Sequence, residues 1–252
     1  VLLSEPTRTP YDLRFRVLGV PVRVHPFFWL ITAILGARGN SKPAEVLLWV
    51  ATVFVSILIH ELGHALTARA FGWEPWITLY GMGGLASYRP TRQSHWRQIV
   101  ISLAGPGAGF LFAALIVAGI AASGHPVFWT WPESVLPIAT TPFFKSDGTI
   151  NVNLTNLVGD LLFVNIIWGL INLLPMLPLD GGRIAESALQ IVDPRDGVQK
   201  ALWLSIFVAI GAAAFAYLRL QDTFLILLCA YLAYTNFVTL QSLNGGNWGG
   251  YR

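Results

Sequence analysis

Residues 46–64 read VLLWVATVFVSILIHELGH, and this stretch decides what kind of protein the chain is. Its first 14 residues are uncharged, and the last five bring in two histidines and a glutamate. An apolar run leading into ionisable side chains reads as a membrane helix, because lipid tolerates only backbone whose polar groups bond within their own segment. Ionisable groups placed there are costly and mark function. His60 and His64 lie four residues apart on one helical face, with about 6 Å of rise between them. Two imidazoles so placed can converge on one tetrahedral Zn²⁺, with Glu61 between them as a base.

Outward from this segment, composition says the same. Of 252 residues 54% are hydrophobic and 12% charged, whereas a soluble domain carries about 25% charged residues. An ordinary soluble enzyme is excluded. No hydrophilic block is large enough to fold separately, so residues 1–252 read as a single integral-membrane domain. The formal charge of +3 is scattered between apolar segments, which suits loops facing anionic lipid and does not call for nucleic acid. Cys229 is alone, so neither a disulfide framework nor a thiolate cluster can form within the chain.

Spans are expected at residues 24–37, 46–71, 99–122, 156–179, 201–218 and 223–243: an all-α polytopic membrane protein with six transmembrane helices. The short first segment is tested by charge. With six crossings, 12 Lys and Arg fall on one side and 4 on the other; without the first crossing the split is 8 against 8. Positive residues accumulate on the cytoplasmic side, which favours six helices with both termini cytoplasmic. Residues 1–23 are polar and mixed, without the compact apolar core of a cleavable signal peptide.

A catalytic zinc needs a third protein ligand and an open position. Asp160 and Asp222 fall at the outer ends of their helices, away from the inward half of the second helix. Asp180 follows the fourth apolar run directly, inside Asn172-Leu-Leu-Pro-Met-Leu-Pro-Leu-Asp180-Gly-Gly-Arg183, where Pro175 and Pro178 break helix geometry. On spacing alone Asp180 serves equally as a ligand or as the cap of a following helix, and Asn172 equally as a functional or a packing residue.

Together, HELGH and NLLPMLPLDGG resemble the two motifs of the site-2 protease family of intramembrane zinc metalloproteases, in a minimal form without PDZ or CBS module. Ser102-Leu-Ala-Gly-Pro-Gly107 is similar to a small-residue segment on the family's intervening helix. The family commonly carries an Asn two or three residues after that Pro; Ala108 and Gly109 stand here. Ile77 to Gly84 looks like the family's membrane-associated β-hairpin between helices 2 and 3, and equally like a Gly-rich surface turn.

The resemblance implies one Zn²⁺ per chain on His60, His64 and Asp180, Glu61 as general base and Asn172 steadying the oxyanion. It implies cleavage within transmembrane segments of membrane-anchored proteins near the cytoplasmic face, in the bilayer of a bacterial cytoplasmic membrane, with regulation by a membrane protein in trans. Two other readings stand beside it. One is a non-catalytic zinc scaffold or metal carrier. The other is the prenylated-protein type of membrane metalloprotease, whose third ligand is a downstream Glu.

Overall fold

The computed structural model describes residues 5–37, 42–90, 94–130, 138–221 and 223–245. By its internal contacts the chain divides into two compact units, Val1–Thr91 with Ala104–Leu170, and Arg92–Leu103 with Ile171–Arg252.

In the first unit the chain begins with two strands, β1 (Leu13–Val17) and β2 (Val20–Val24). They pair antiparallel through a tight turn at Leu18-Gly19, both with positive φ, the backbone that two-residue hairpins require. Helix α1 (Pro26–Gly36) follows. His25 is its N-cap, the ring Nδ1 accepting from the Phe27 amide at 3.2 Å, and Pro26 takes the first helical position, where its missing N–H costs nothing.

Helix α2 (Pro43–Ala70) carries the HELGH segment. Strands β3 (Glu74–Tyr80) and β4 (Gly83–Arg89) form an antiparallel hairpin after it, and β3 pairs in parallel with β2, giving the sheet order β1-β2-β3-β4. One face of this sheet buries Val22, Val24, Ile77 and Leu79 against Ile57 and Ala65 of α2 and Phe28 of α1.

Helix α3 (His95–Ala122) has Pro106 within it. A short pair, β5 (Val127–Trp129) and β6 (Ile138–Thr140), precedes helix α4 (Val152–Asn172). α4 contains a π-helical turn over Val164–Trp168. In that turn buried Asn165 donates to Ser56 Oγ and to the Leu161 carbonyl, both at 2.8 Å. The bond to Ser56 fastens α4 to α2 one turn ahead of His60.

In the second unit α4 ends at Asn172 and a non-helical stretch leads to α5 (Asp180–Val192), α6 (Gly197–Phe215, continued as π-helix through Leu220) and α7 (Thr223–Gly245).

Two expectations are revised. The helix read over 156–179 stops at Asn172, because Pro175 and Pro178 cannot continue the ladder, and a separate amphipathic helix, α5, begins at Asp180. Leu13–Val17 and Val20–Val24 are strands, so the hairpin of β3 and β4 belongs to a four-stranded sheet rather than standing alone. Among the described residues five helices are long and apolar enough to cross a membrane, Pro43–Ala70, His95–Ala122, Val152–Asn172, Gly197–Arg219 and Leu225–Leu243. The first segment is a shorter apolar helix of 11 residues.

Candidate metal centre

The 28-residue α2 brings His60, Glu61 and His64 onto adjoining positions of one turn. Glu61 and His64 are each 6% exposed, a depth at which a carboxylate and an imidazole need specific partners. The two histidines meet edge to face, with ring centroids 4.8 Å apart and Nε2 atoms 3.1 Å apart. Two imidazole nitrogens so close are spaced as two ligands of one metal ion.

Glycines make this packing available. A Cβ on Gly105 would stand 2.1 Å from His64 Nε2, and one on Gly63 would stand 2.3 Å from the Ala104 carbonyl oxygen. The Ala104-Gly105 stretch of α3 is therefore the wall against which the His64 ring lies. On the other side a Cβ on Gly84 of β4 would stand 2.4 Å from Glu61 Oε1. The small-residue segment and the Gly-rich hairpin thus each leave space for one of these side chains.

In the second unit Asn172 is the last residue of α4 and Asp180 the first of α5. The intervening loop folds back so tightly that a Cβ on Gly181 would stand 2.1 Å from the Leu173 carbonyl oxygen, and one on Gly182 would stand 2.4 Å from the Leu177 amide nitrogen. Two polar residues of otherwise apolar helices hold this loop. Ser205 Oγ of α6 accepts from the Leu177 amide at 3.0 Å, and Asn236 Nδ2 of α7 donates to the Leu177 carbonyl at 2.8 Å. Their signal was a buried polar side chain on an otherwise apolar helix, which needs a partner.

His60 and His64 of the first unit each offer a ring nitrogen, and Asp180 of the second offers a carboxylate oxygen. Two nitrogens and a carboxylate oxygen are the donor set of catalytic zinc, three protein ligands leaving a fourth position free. His25 is a helix cap and His125 stacks on Phe143 at 4.2 Å between ring centroids; neither belongs to the group.

Fold and site together define a helical integral membrane protein with a metal-ligand group built on an H-E-x-x-H helix. Residues 48–214 match peptidase family M50, and the chain belongs to that family, the site-2 proteases. It is 27% identical over 184 residues to a zinc metalloprotease of Methanocaldococcus jannaschii, covering 71% of this chain and 46% of that one. It is 29% identical over 175 residues to stage IV sporulation protein FB of Bacillus subtilis, covering 66% and 47%. The chain spans about half the length of the curated relatives it matches. The solved site-2 protease from Methanocaldococcus jannaschii has the same fold, with a TM-score of 0.58 at 23% identity over 91% of this chain and 95% of that one.

Proposed function

We propose that the chain is a zinc metalloendopeptidase that cuts membrane-anchored proteins within the bilayer. The observation that carries this reading is the H-E-x-x-H turn of α2, where Glu61 is buried beside two histidines whose nitrogens converge. His60, His64 and Asp180 hold the metal in this reading. Zinc bound there supplies a Lewis acid that lowers the pKa of a water to about 7 and polarises the peptide carbonyl. Glu61 takes the proton of the attacking water and returns it to the departing amine. Asn172 donates to the carbonyl oxygen as charge develops on it. The substrate must be unwound to expose its peptide bond, and β4 is suited to receive it: it is an edge strand of its sheet, and Gly84 on it lies against Glu61. An extended segment added along that edge is delivered beside the base.

Residues 1–252 act as one metalloprotease domain in this reading, with α1 as the sixth crossing and the hairpin β3-β4 associated with the membrane. The charge split of 12 against 4 supports both termini on the cytoplasmic side of a bacterial membrane, and cleavage near that face. Control by a membrane protein in trans completes the proposal.

The test compares purified wild type with Glu61→Gln on a panel of single-span membrane peptides, with zinc measured in each. Wild type cleaves, and the variant keeps its zinc while losing cleavage by at least about a hundredfold. Equal zinc and no cleavage by either protein makes the chain a metal carrier.

A further inference from the structure

The four-stranded sheet has two chemically opposite faces. Phe15 and Val22 turn toward the α2 core; since side chains alternate along a strand, Arg14 and Arg16 of β1 and Arg23 of β2 stand on the other face. The register sets Arg14 opposite Arg23, and Arg23 opposite Thr78. This second face floors a cavity of about 1130 Å³, whose rim adds Arg8, Arg69 and Arg89. Six guanidinium groups meet two carboxylates, Glu5 and Glu74, along its lining. Arg8 and Arg16 are exposed and form no ion pair among the described residues. So many like charges around one concavity repel each other and raise the local concentration of anions.

The chain's own N-terminal segment shows what such a trough accepts. The Glu5 carboxylate receives hydrogen bonds from Arg23 Nη2 at 2.9 Å, Thr78 Oγ1 at 2.8 Å and Trp76 Nε1 at 3.5 Å. The same guanidinium donates to the carbonyls of Pro6 at 2.9 Å and Thr7 at 3.4 Å. An acidic side chain and the peptide backbone following it are thus bound together, as a peptide ligand would be. The cavity persists beside this segment, which forms one of its walls, and it exceeds the ~300–1,000 Å³ of small-molecule pockets.

We propose that this trough is a docking site for an acidic polypeptide segment of a partner protein. The partner's carboxylates pair with Arg14, Arg16 and Arg89, alongside the resident Glu5-Pro6-Thr7. Arginine suits the task because its planar fork takes a carboxylate with two hydrogen bonds and retains its charge at every relevant pH. The inference stands apart from proteolysis, and its test needs none.

The test uses the full chain in neutral detergent and fluorescence anisotropy of a labelled peptide of alternating Glu and Ser, against the same peptide with Gln for Glu. Wild type binds the Glu peptide about tenfold tighter than the Gln peptide, and added salt weakens it. The double variant Arg16→Gln, Arg89→Gln binds about tenfold more weakly with a flatter salt dependence. Glu5→Gln binds about threefold more tightly, because Arg23 is left with one resident carboxylate, Asp12, in place of two. Thermal unfolding checks that each variant is folded; if the double variant is not, Arg16→Gln alone is read. Equal binding of the two peptides overturns the proposal. So does failure of the Glu peptide to bind, including the case in which phosphatidylglycerol bicelles, but not phosphatidylcholine ones, are held through Arg16 and Arg89, which makes the trough a lipid site.

Discussion

Gly84 of β4 lies against the carboxylate of Glu61 on α2, so close that a Cβ at Gly84 would stand 2.4 Å from Oε1 and 2.5 Å from Cγ. A strand from the sheet and a turn of the membrane helix therefore share one small volume. Whatever passes along β4 passes beside this carboxylate.

Gly84→Ala tests that relationship. Glu61 is a flexible side chain, so the added methyl is relieved by rotating it away rather than by moving backbone. The expected result is a fall of at least about tenfold in kcat, the size of one misplaced general base. Zinc content and melting temperature should stay near wild type. Loss of zinc in this variant would show that Gly84 supports the metal group rather than the base.

Gly105→Ala should fail in the opposite way. Its Cβ meets Nε2, Cε1 and Cδ2 of His64 at 2.1 to 2.8 Å. The imidazole must swing off its position, so zinc is lost and cleavage goes with it. Zinc per chain, measured by atomic emission, should drop well below one, and excess zinc in the assay should restore part of the activity.

The two motifs were legible in the sequence because their meaning lies in spacing. His60 and His64 share a face by helical period alone, and Pro175 and Pro178 announce broken backbone before Asp180. The sheet was less legible. Leu-Arg-Phe-Arg-Val and Val-Pro-Val-Arg-Val alternate with period two, the signature of half-buried strands, but the arginines made the stretch read as a polar approach to the first helix. The parallel pairing of Val22 with Ile77 spans two helices, and no local pattern encodes it. Ser205 and Asn236 carry no local signal of their role, because their partner, the Leu177 peptide, lies 28 and 59 residues away.

Ser205→Ala tests this hold. It leaves the partly buried Leu177 amide without its acceptor, a loss of about 1 kcal/mol, and loosens the loop three residues before Asp180. The expected outcome is a lower melting temperature together with faster zinc release to a chelator. Ser205→Thr, which keeps a hydroxyl, should recover most of both. A variant that melts early but releases zinc at the wild-type rate would separate the loop from the metal.

Asp12 should set the acid limit of the N-terminal segment. Burial opposes its ionisation, but hydrogen bonds from the Thr9 hydroxyl and amide, and the Arg23 guanidinium at 3.2 Å, outweigh it and hold the carboxyl at about 2, below its ordinary 3.8. A group whose pKa is lower in the folded state stabilises the fold when ionised, so this contribution is complete above its unfolded value and is lost as pH falls toward the folded one. Wild type should therefore melt above Asp12→Asn by a constant margin from neutral pH down to about 4. The margin should shrink between about 4 and 2, as the wild-type carboxyl takes up its proton. Melting curves of both proteins across that range decide it: a margin that persists unchanged at pH 2 would mean that the charge on Asp12 contributes nothing and that its geometry alone matters.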